Sequence, residues 1–281
     1  MSSPTCGTAP ILCAHLLRGV DEKLLELLRS LAPGEWDIQT IAPSWKVRDV
    51  AAHLLDTVLR KLSMVRDSCH VEPAEIRSPR DLAALVNRLN REGVTVYRRL
   101  SPRVLIDLMQ VACEQSARFH ESLDPFAPAA FAVSWAGEET SLNWFDTARE
   151  LTERWHHQQQ IRLATNRAGI MVPDLYHPVL DCFVRGLPYL YRDVEARIGT
   201  AVLLEISGEC GGKWVLSRGP TGWNFVNEAS GEVASRVTIP QALAWRLFTN
   251  GIDRESARAQ VQFAGDPDLG GKVLSLTAIV A

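Results

Sequence analysis

The 281-residue sequence lacks paired cysteines, long apolar runs and an excess of charge of one sign. Its six cysteines are scattered with no Cys-x-x-Cys pair, which disfavours a disulfide framework or cysteine-ligated zinc and is typical of reduced thiols. No apolar run is long enough to span a bilayer, and no basic segment precedes an apolar stretch near the N-terminus. A net charge of -3 gives no reason to expect nucleic acid or an anionic membrane as partner. We therefore expect a cytoplasmic protein that acts on a small molecule.

The residues that are present supply material for two folded domains. Hydrophobic residues make up 46% of the chain, and its length exceeds that of a usual single domain. We predict a helical domain over 1–168 and an α+β domain over 169–281. Proline after serine marks two helix starts, at Ser78-Pro79 and Ser101-Pro102. Helical spacing of apolar residues predicts the helices of the first domain, at 10–31, 46–68, 79–100, 102–122 and 143–164, with Ser141 as an alternative start of the last.

Long helices with short connections favour an antiparallel four-helix bundle, in whose core facing helices build metal sites. A short extended piece is expected near 131–135. In the second domain a helix is predicted over 174–197. Alternating β-branched and aromatic runs separated by glycine predict a small antiparallel sheet. Its strands are expected at 201–207, 213–217, 223–226, 233–239 and 259–263, with helices at 240–249 and 266–277.

Two predicted helices carry metal-ligand side chains on one face. His53 lies on the apolar stripe of the second helix, and Glu153 and His157 are four residues apart on the last helix of the bundle. Two imidazoles and one carboxylate leave a coordination position open, as in catalytic zinc sites. Taken separately, each motif has another interpretation. His53 could be a histidine of the hydrophobic core, and Glu153 with His157 could be a surface pair that stabilises the helix by about 0.3 kcal/mol.

Burial of Glu153 in a bundle without a cation would be costly, and a metal ion would offset that cost. This argument favours the metal site over the two separate interpretations. His156 points about a third of a turn away from the shared face, and His120 is a weaker rival ligand. No residue is singled out as catalytic.

Two motifs carry a resemblance to a known family. They read Trp45-Lys-Val-Arg-Asp-Val-Ala-Ala-His53-Leu and Glu153-Arg-Trp-His-His157-Gln-Gln-Gln-Ile-Arg162. The sequence resembles the mycothiol-dependent maleylpyruvate isomerase family, within the DinB-like superfamily of metal-binding four-helix bundles. The resemblance implies that His53, Glu153 and His157 bind a divalent metal, usually zinc. Nickel is the alternative metal that we consider. It also implies a low-molecular-weight thiol such as mycothiol or bacillithiol, in a transferase or isomerase reaction.

The resemblance extends into the second domain through Phe248-Thr-Asn-Gly251-Ile-Asp and Phe263-Ala-Gly265-Asp266-Pro-Asp-Leu-Gly270, which look like a sterol-carrier-like α+β fold. Two positions depart from the family pattern. Gln160 stands where relatives commonly have aspartate. Thr249-Asn-Gly251 stands where true isomerases present an arginine from the second domain, so the motifs imply thiol chemistry without implying isomerisation of maleylpyruvate itself.

Three hypotheses for function follow. The leading one is a metal-dependent enzyme that uses a low-molecular-weight thiol, with the open metal position activating the thiolate and the second domain closing over the site. The alternative is a non-catalytic metal-containing module that binds a small ligand, and a third is a structural protein with vestigial ligands. Arg218 and Arg236, at predicted strand ends, are weak candidates for binding an acidic ligand or cofactor. The alternative interpretation, which we favour, is that both are solvated surface residues. A homodimer is left open.

Overall fold

The computed structural model describes residues 7–69, 78–229, 231 and 233–279. The chain forms two compact units. The helical unit takes Leu12–Phe131 and Ser141–Ile170, and the α+β unit takes Ala132–Thr140, Met171–Ile279 and the described residues up to Ile11. The boundary that we placed between 168 and 169 stays a prediction. None of the helices in the described ranges is long and apolar enough to cross a membrane.

Serine caps start two of the helices of the first unit. The Ser78 hydroxyl accepts a hydrogen bond from the backbone N–H of Asp81, and the Ser101 hydroxyl accepts one from Val104. In both helices proline follows the cap, where its missing N–H costs nothing. The helices of this unit are α1 (Ala14–Ser30), α2 (Val47–Lys61), α3 (Pro79–Tyr97), α4 (Pro102–Ser122) and α5 (Asn143–Ala164).

Four of these helices form the predicted bundle. Both α1 and α2 pack against α4 and α5, while α3 packs mainly against α2. After α2 the chain makes a π-helical turn, Leu62–Arg66, so the regular helix ends earlier than predicted. The core between the helices is aliphatic and includes Leu24, Leu28, Val50, Leu54, Leu55 and Met109. The predicted helical class of the N-terminal part is confirmed.

The second unit contains a five-stranded sheet with the order β3-β2-β1-β4-β5. Its strands are β1 (Ala201–Ser207), β2 (Gly212–Arg218), β3 (Trp223–Val226), β4 (Val233–Pro240) and β5 (Gln262–Gly265). The sheet is mostly antiparallel, as predicted, but β1 and β4 pair in parallel. This difference arises because the chain meanders through β1, β2 and β3 and then returns to the free side of β1.

The helices of this unit are α6 (Pro173–Val184), α7 (Leu187–Leu190), α8 (Gln241–Phe248), α9 (Arg254–Arg258) and α10 (Pro267–Gly271). The prediction of one helix over 174–197 is wrong. Pro188 has no N–H to donate to the carbonyl of Val184, so α6 ends at Val184, and Pro188 lies in the first turn of the separate helix α7.

Two further expectations about local structure are corrected. The strand expected at 259–263 begins three residues later, because Asp253 caps the short helix α9 by accepting from the backbone N–H of Ser256. The segment near 131–135 contains a 3-10 turn, Ser134–Ala136, instead of an extended strand.

Candidate metal centre

Helix α2 and helix α5 bring the three predicted ligands together. His53 lies on the buried face of α2, where Val50, Leu54 and neighbouring apolar residues hold it against the core. Glu153 and His157 lie one turn apart on α5. One ligand atom from each of the three side chains lies within 4.8 Å of the others, and the two imidazole centroids are 4.5 Å apart. This convergence joins residues about a hundred positions apart in sequence.

The orientation of His157 is set by two neighbours on α5. Its Nδ1 lies 2.9 Å from the side-chain oxygen of Gln160, and its Nε2 lies 3.5 Å from a carboxylate oxygen of Glu153. An amide oxygen only accepts hydrogen bonds, so this contact requires a proton on Nδ1. The neutral ring then has its lone pair on Nε2, the nitrogen that lies beside Glu153.

The environment of His53 favours the neutral imidazole that a metal requires. Burial lowers the pKa of His53 well below its ordinary value, because it penalises the charged form of the ring. Its Nδ1 is buried and has no hydrogen-bond partner among the described residues. A buried polar atom without a hydrogen-bond partner lowers the stability of the fold, and a bound ion or water would supply the missing interaction.

A tryptophan covers one side of the cluster. The Trp45 ring centroid lies 4.6 Å from that of His53 and 5.7 Å from that of His157. The loop before α2 fixes the backbone of Trp45. The Gln39 amide donates to the Trp45 carbonyl at 2.9 Å, and the Thr40 hydroxyl donates to the same oxygen at 2.7 Å.

The other buried acids of this region already have cationic partners. Lys61 Nζ lies 2.8 Å from Asp146 and 2.9 Å from Glu150, and Arg149 contacts the same two carboxylates at 2.6 and 2.9 Å. Burial alone would raise the pKa values of Asp146 and Glu150, but Lys61 and Arg149 outweigh it and lower both. One lysine and one arginine thus balance two acids.

A second buried pair lies between α1 and α5. Arg154 donates to Asp21 and to the Ser116 hydroxyl, the latter at 2.6 Å. Burial raises the pKa of Asp21 to about 6, although Arg154 opposes the shift. This arginine is therefore engaged with α1 and α4, facing away from the ligand cluster.

The described residues around the cluster fit a divalent cation. The side chain of Glu153 is 27% exposed, and its carboxylate lies 3.5 Å from Nε2 of His157. Among the described residues, no salt bridge joins Glu153 to a lysine or an arginine. Two imidazoles, one of which has an unsatisfied ring nitrogen, and one carboxylate are a donor set that suits zinc or a similar metal.

The rival ligands lie outside the cluster. His156 directs Nδ1 to the Thr152 carbonyl at 2.8 Å, and burial lowers its pKa to about 3. His120 Nδ1 lies 3.2 Å from the Thr147 hydroxyl. Neither belongs to the ligand cluster, although Nε2 of His120 is also buried without a hydrogen-bond partner among the described residues.

Arg218 and Arg236 lie in the α+β unit. Arg218 ends β2, where its Nη1 donates to the Gly219 carbonyl at 2.7 Å. Arg236, on β4, has a side chain 47% exposed with Nη1 3.6 Å from Glu205. Their part in binding an acidic ligand stays a prediction.

Several residues that shape this region are not predicted by the sequence patterns above. No motif assigns Lys61 to a site, and Gln160 stands out only as a departure from a family pattern. A signal for the buried charges was present: α5 carries Asp146, Glu150, Arg154 and further polar residues at helical spacing where a bundle helix should be apolar.

A sequence model of one family covers this region. The model described as the mycothiol maleylpyruvate isomerase N-terminal domain matches residues 17–162, more than half of the chain. The chain belongs to this family. The match contains all three candidate ligands and the whole of α1 except its first turn.

Solved structures show a similar fold. One is the crystal structure of a histidine-to-alanine mutant of the mycothiol-dependent maleylpyruvate isomerase, with a TM-score of 0.53 and 13% identity over 89% of this chain and 91% of that one. Another is the crystal structure of the mycothiol-dependent maleylpyruvate isomerase, with a TM-score of 0.49 and 13% identity over 83% of this chain and 86% of that one. A search of curated proteins finds no match.

Proposed function

We propose that this protein is a metal-dependent enzyme that uses a low-molecular-weight thiol in S-transfer to, or isomerisation of, a small electrophilic substrate. The observation that carries the proposal is the convergence of His53, Glu153 and His157 within 4.8 Å. Family membership supports the thiol dependence, since the similar solved structure is of a mycothiol-dependent isomerase. Zinc is the metal that we propose, with nickel as the alternative.

Each ligand residue has a defined part. His53 and His157 would hold the ion through neutral imidazoles, and Glu153 would supply the single negative charge. A divalent ion held by three protein ligands supplies an open position at which a thiol is deprotonated at neutral pH. Trp45 shields the two imidazoles on one side, which limits the access of water to them.

The substrate is proposed only as a class. The segment Thr249-Asn250-Gly251 carries no arginine, and Asn250 adopts a left-handed backbone conformation with φ of 56°. We therefore propose thiol chemistry on a small electrophile without assigning maleylpyruvate as the substrate. A cytoplasmic location remains part of the proposal.

The test combines elemental analysis with a conjugation assay. The purified protein is analysed for zinc and nickel, and is then assayed with mycothiol or bacillithiol and a small electrophile. We expect about one metal ion per chain and a thiol-dependent reaction that His53→Ala abolishes. His15→Ala is the matched control, because His15 is exposed on α1 and lies outside the cluster.

The outcomes separate the hypotheses. Metal binding with no reaction of any thiol tested would favour the non-catalytic binding module. A wild-type protein that takes up no divalent metal would contradict the proposal and leave the ligand residues with a structural role.

A further inference from the structure

Gln160 is buried on α5 one turn after His157, with 6% of its surface exposed. Its side-chain oxygen lies 2.9 Å from Nδ1 of His157, and the ring's other nitrogen lies 3.5 Å from Glu153. The contact is therefore made to a candidate ligand on the side opposite the cluster. Hydrogen bonds of this kind orient metal-binding histidines and fix their tautomer.

The tautomer decides whether His157 can act as a ligand in this orientation. A neutral imidazole has one N–H and one lone pair, and only the lone pair can bind a metal. With the proton on Nδ1 held by Gln160, the lone pair is on Nε2, beside Glu153. In the other tautomer Nε2 would carry the proton and would be blocked.

The neutrality of Gln160 has a second effect. The buried cations Lys61 and Arg149 are matched by Asp146 and Glu150, and Arg154 is matched by Asp21. Glu153 is then the negative charge left for a bound divalent ion, so the loaded cluster retains one positive charge. A carboxylate at position 160 would remove that charge.

We propose that Gln160 is a positioning residue that places the lone pair of His157 on Nε2 and, by being uncharged, keeps the loaded metal centre cationic so that it selects an anionic ligand. This inference rests on the proposed function for the metal, but its first part concerns His157 alone. The two parts are tested separately, first in metal-free protein and then in cobalt-loaded protein.

The first test is ¹⁵N NMR of the histidine side chains in metal-free protein, at about pH 8, where an ordinary imidazole is neutral. His157→Ala identifies the signal. We expect the wild type to show Nδ1–H and a lone pair on Nε2, and Gln160→Met to shift the ring toward Nε2–H, the form preferred by free histidine. A wild-type ring with the proton on Nε2 would overturn the positioning role, whatever the metal does.

The second test measures Co²⁺ affinity through its visible absorption. Gln160→Met should weaken binding about 10–100-fold, the usual effect of losing a partner of a ligand histidine. Gln159→Met is the matched control, since Gln159 is buried to a similar degree on the same helix and no hydrogen bond joins it to the cluster in the described structure. Circular dichroism of the metal-free variants checks that the bundle is folded. Equal affinity in Gln160→Met and the wild type would contradict the role in metal binding.

The third test uses azide as a simple anion on cobalt-loaded protein. Gln160→Glu keeps the acceptor for His157 and adds one negative charge, so Co²⁺ should remain bound while azide binds at least about tenfold more weakly, by Coulomb repulsion at an effective dielectric near 20. Equal azide affinity in both proteins would overturn the charge effect. A wild type that shows the expected tautomer but binds no divalent metal would instead overturn the proposed function, and the positioning of His157 by Gln160 would stand.

Discussion

His156 and His157 are adjacent in the chain, and their ring centroids are 3.9 Å apart, yet their surroundings give them different roles. His156 directs Nδ1 to the Thr152 carbonyl of its own helix, whereas His157 directs Nδ1 to Gln160 and lies in the ligand cluster. Successive helical residues differ in direction by about 100°, so only one of two neighbours can face a given partner. At this scale a rotation of one residue separates a ligand from a core histidine.

We expect His157→Ala to weaken zinc binding by more than about 100-fold, beyond the usual effect of losing a mere partner of a ligand. The bundle should remain folded, because its aliphatic core and not the ion supplies most of its stability. Zinc content after dialysis and far-UV circular dichroism measure the two effects. His156→Ala is the control and should keep its zinc. Loss of soluble protein in His157→Ala alone would reassign the ion as structural.

Helix α5 differs from the other bundle helices because its buried face is largely polar. It places Asp146, Glu150 and Arg154 in the core. Lys61 of α2 pairs with the two acids, and Asp21 of α1 pairs with Arg154. Each charge is stable there only with its partner, since a buried charge without one is costly. The register of α5 against α1 and α2 is therefore fixed by charge pairing as well as by apolar packing.

At the scale of this helix pair, we expect Lys61→Met to lower the free energy of unfolding by about 3–5 kcal/mol, because it leaves two buried carboxylates with one fewer cation. Lys61 has a side chain only 7% exposed. Urea denaturation measures the change. Arg118→Met removes an exposed pair with Glu114 on α4 and should change stability by no more than about 1 kcal/mol. Similar losses in the two variants would show that the buried pairing contributes little.

The same acids predict acid sensitivity. The folded pKa values of Asp146 and Glu150 lie below their ordinary values near 4, so below this pH the unfolded state binds more protons than the folded state. Stability from these groups is complete above about pH 4.5 and is lost as the pH falls further. Urea midpoints between about pH 3 and 7 measure this loss. The dependence should be shallower in Lys61→Met, and an unchanged slope would assign it to other carboxylates.

On the scale of the whole molecule, the chain passes between its two units more than once. Ala132–Thr140 leaves the helical unit and joins the α+β unit before α5 begins. In that unit Trp135 packs near Gly186, and Tyr189 lies against Gly137, which adopts a φ of 83°. The segment thus belongs to the packing of the second unit although it lies within the sequence of the first.

The expectation that the second unit contributes to the site stays a prediction, tested through its arginines. Arg218→Ala or Arg236→Ala should weaken binding of a dicarboxylate probe such as maleate to the zinc-loaded protein, without lowering its zinc content, because each removes a cation and no ligand. Isothermal titration calorimetry and elemental analysis measure these effects. Arg254→Ala, an exposed arginine of α9, is the control. Unchanged maleate affinity in both variants would leave these residues as solvated surface.

The sequence by itself determined the features that follow from local periodicity and capping. Serine followed by proline placed the starts of α3 and α4, and spacing of four residues put Glu153 and His157 on one face. These are consequences of helix geometry within one turn, so they need no knowledge of the fold.

The tertiary structure alone decided which side chains meet across helices and strands. Lys61 pairs with Asp146, 85 residues away, and α3 packs on α2 outside the four-helix core. Strand β4 pairs in parallel with β1, although β2 and β3 lie between them in the sequence. A buried charge or strand edge without a partner is costly, so each of these groups must find one. No local pattern encodes which partner it finds, because the partners are distant in sequence and only the packed chain brings them within reach.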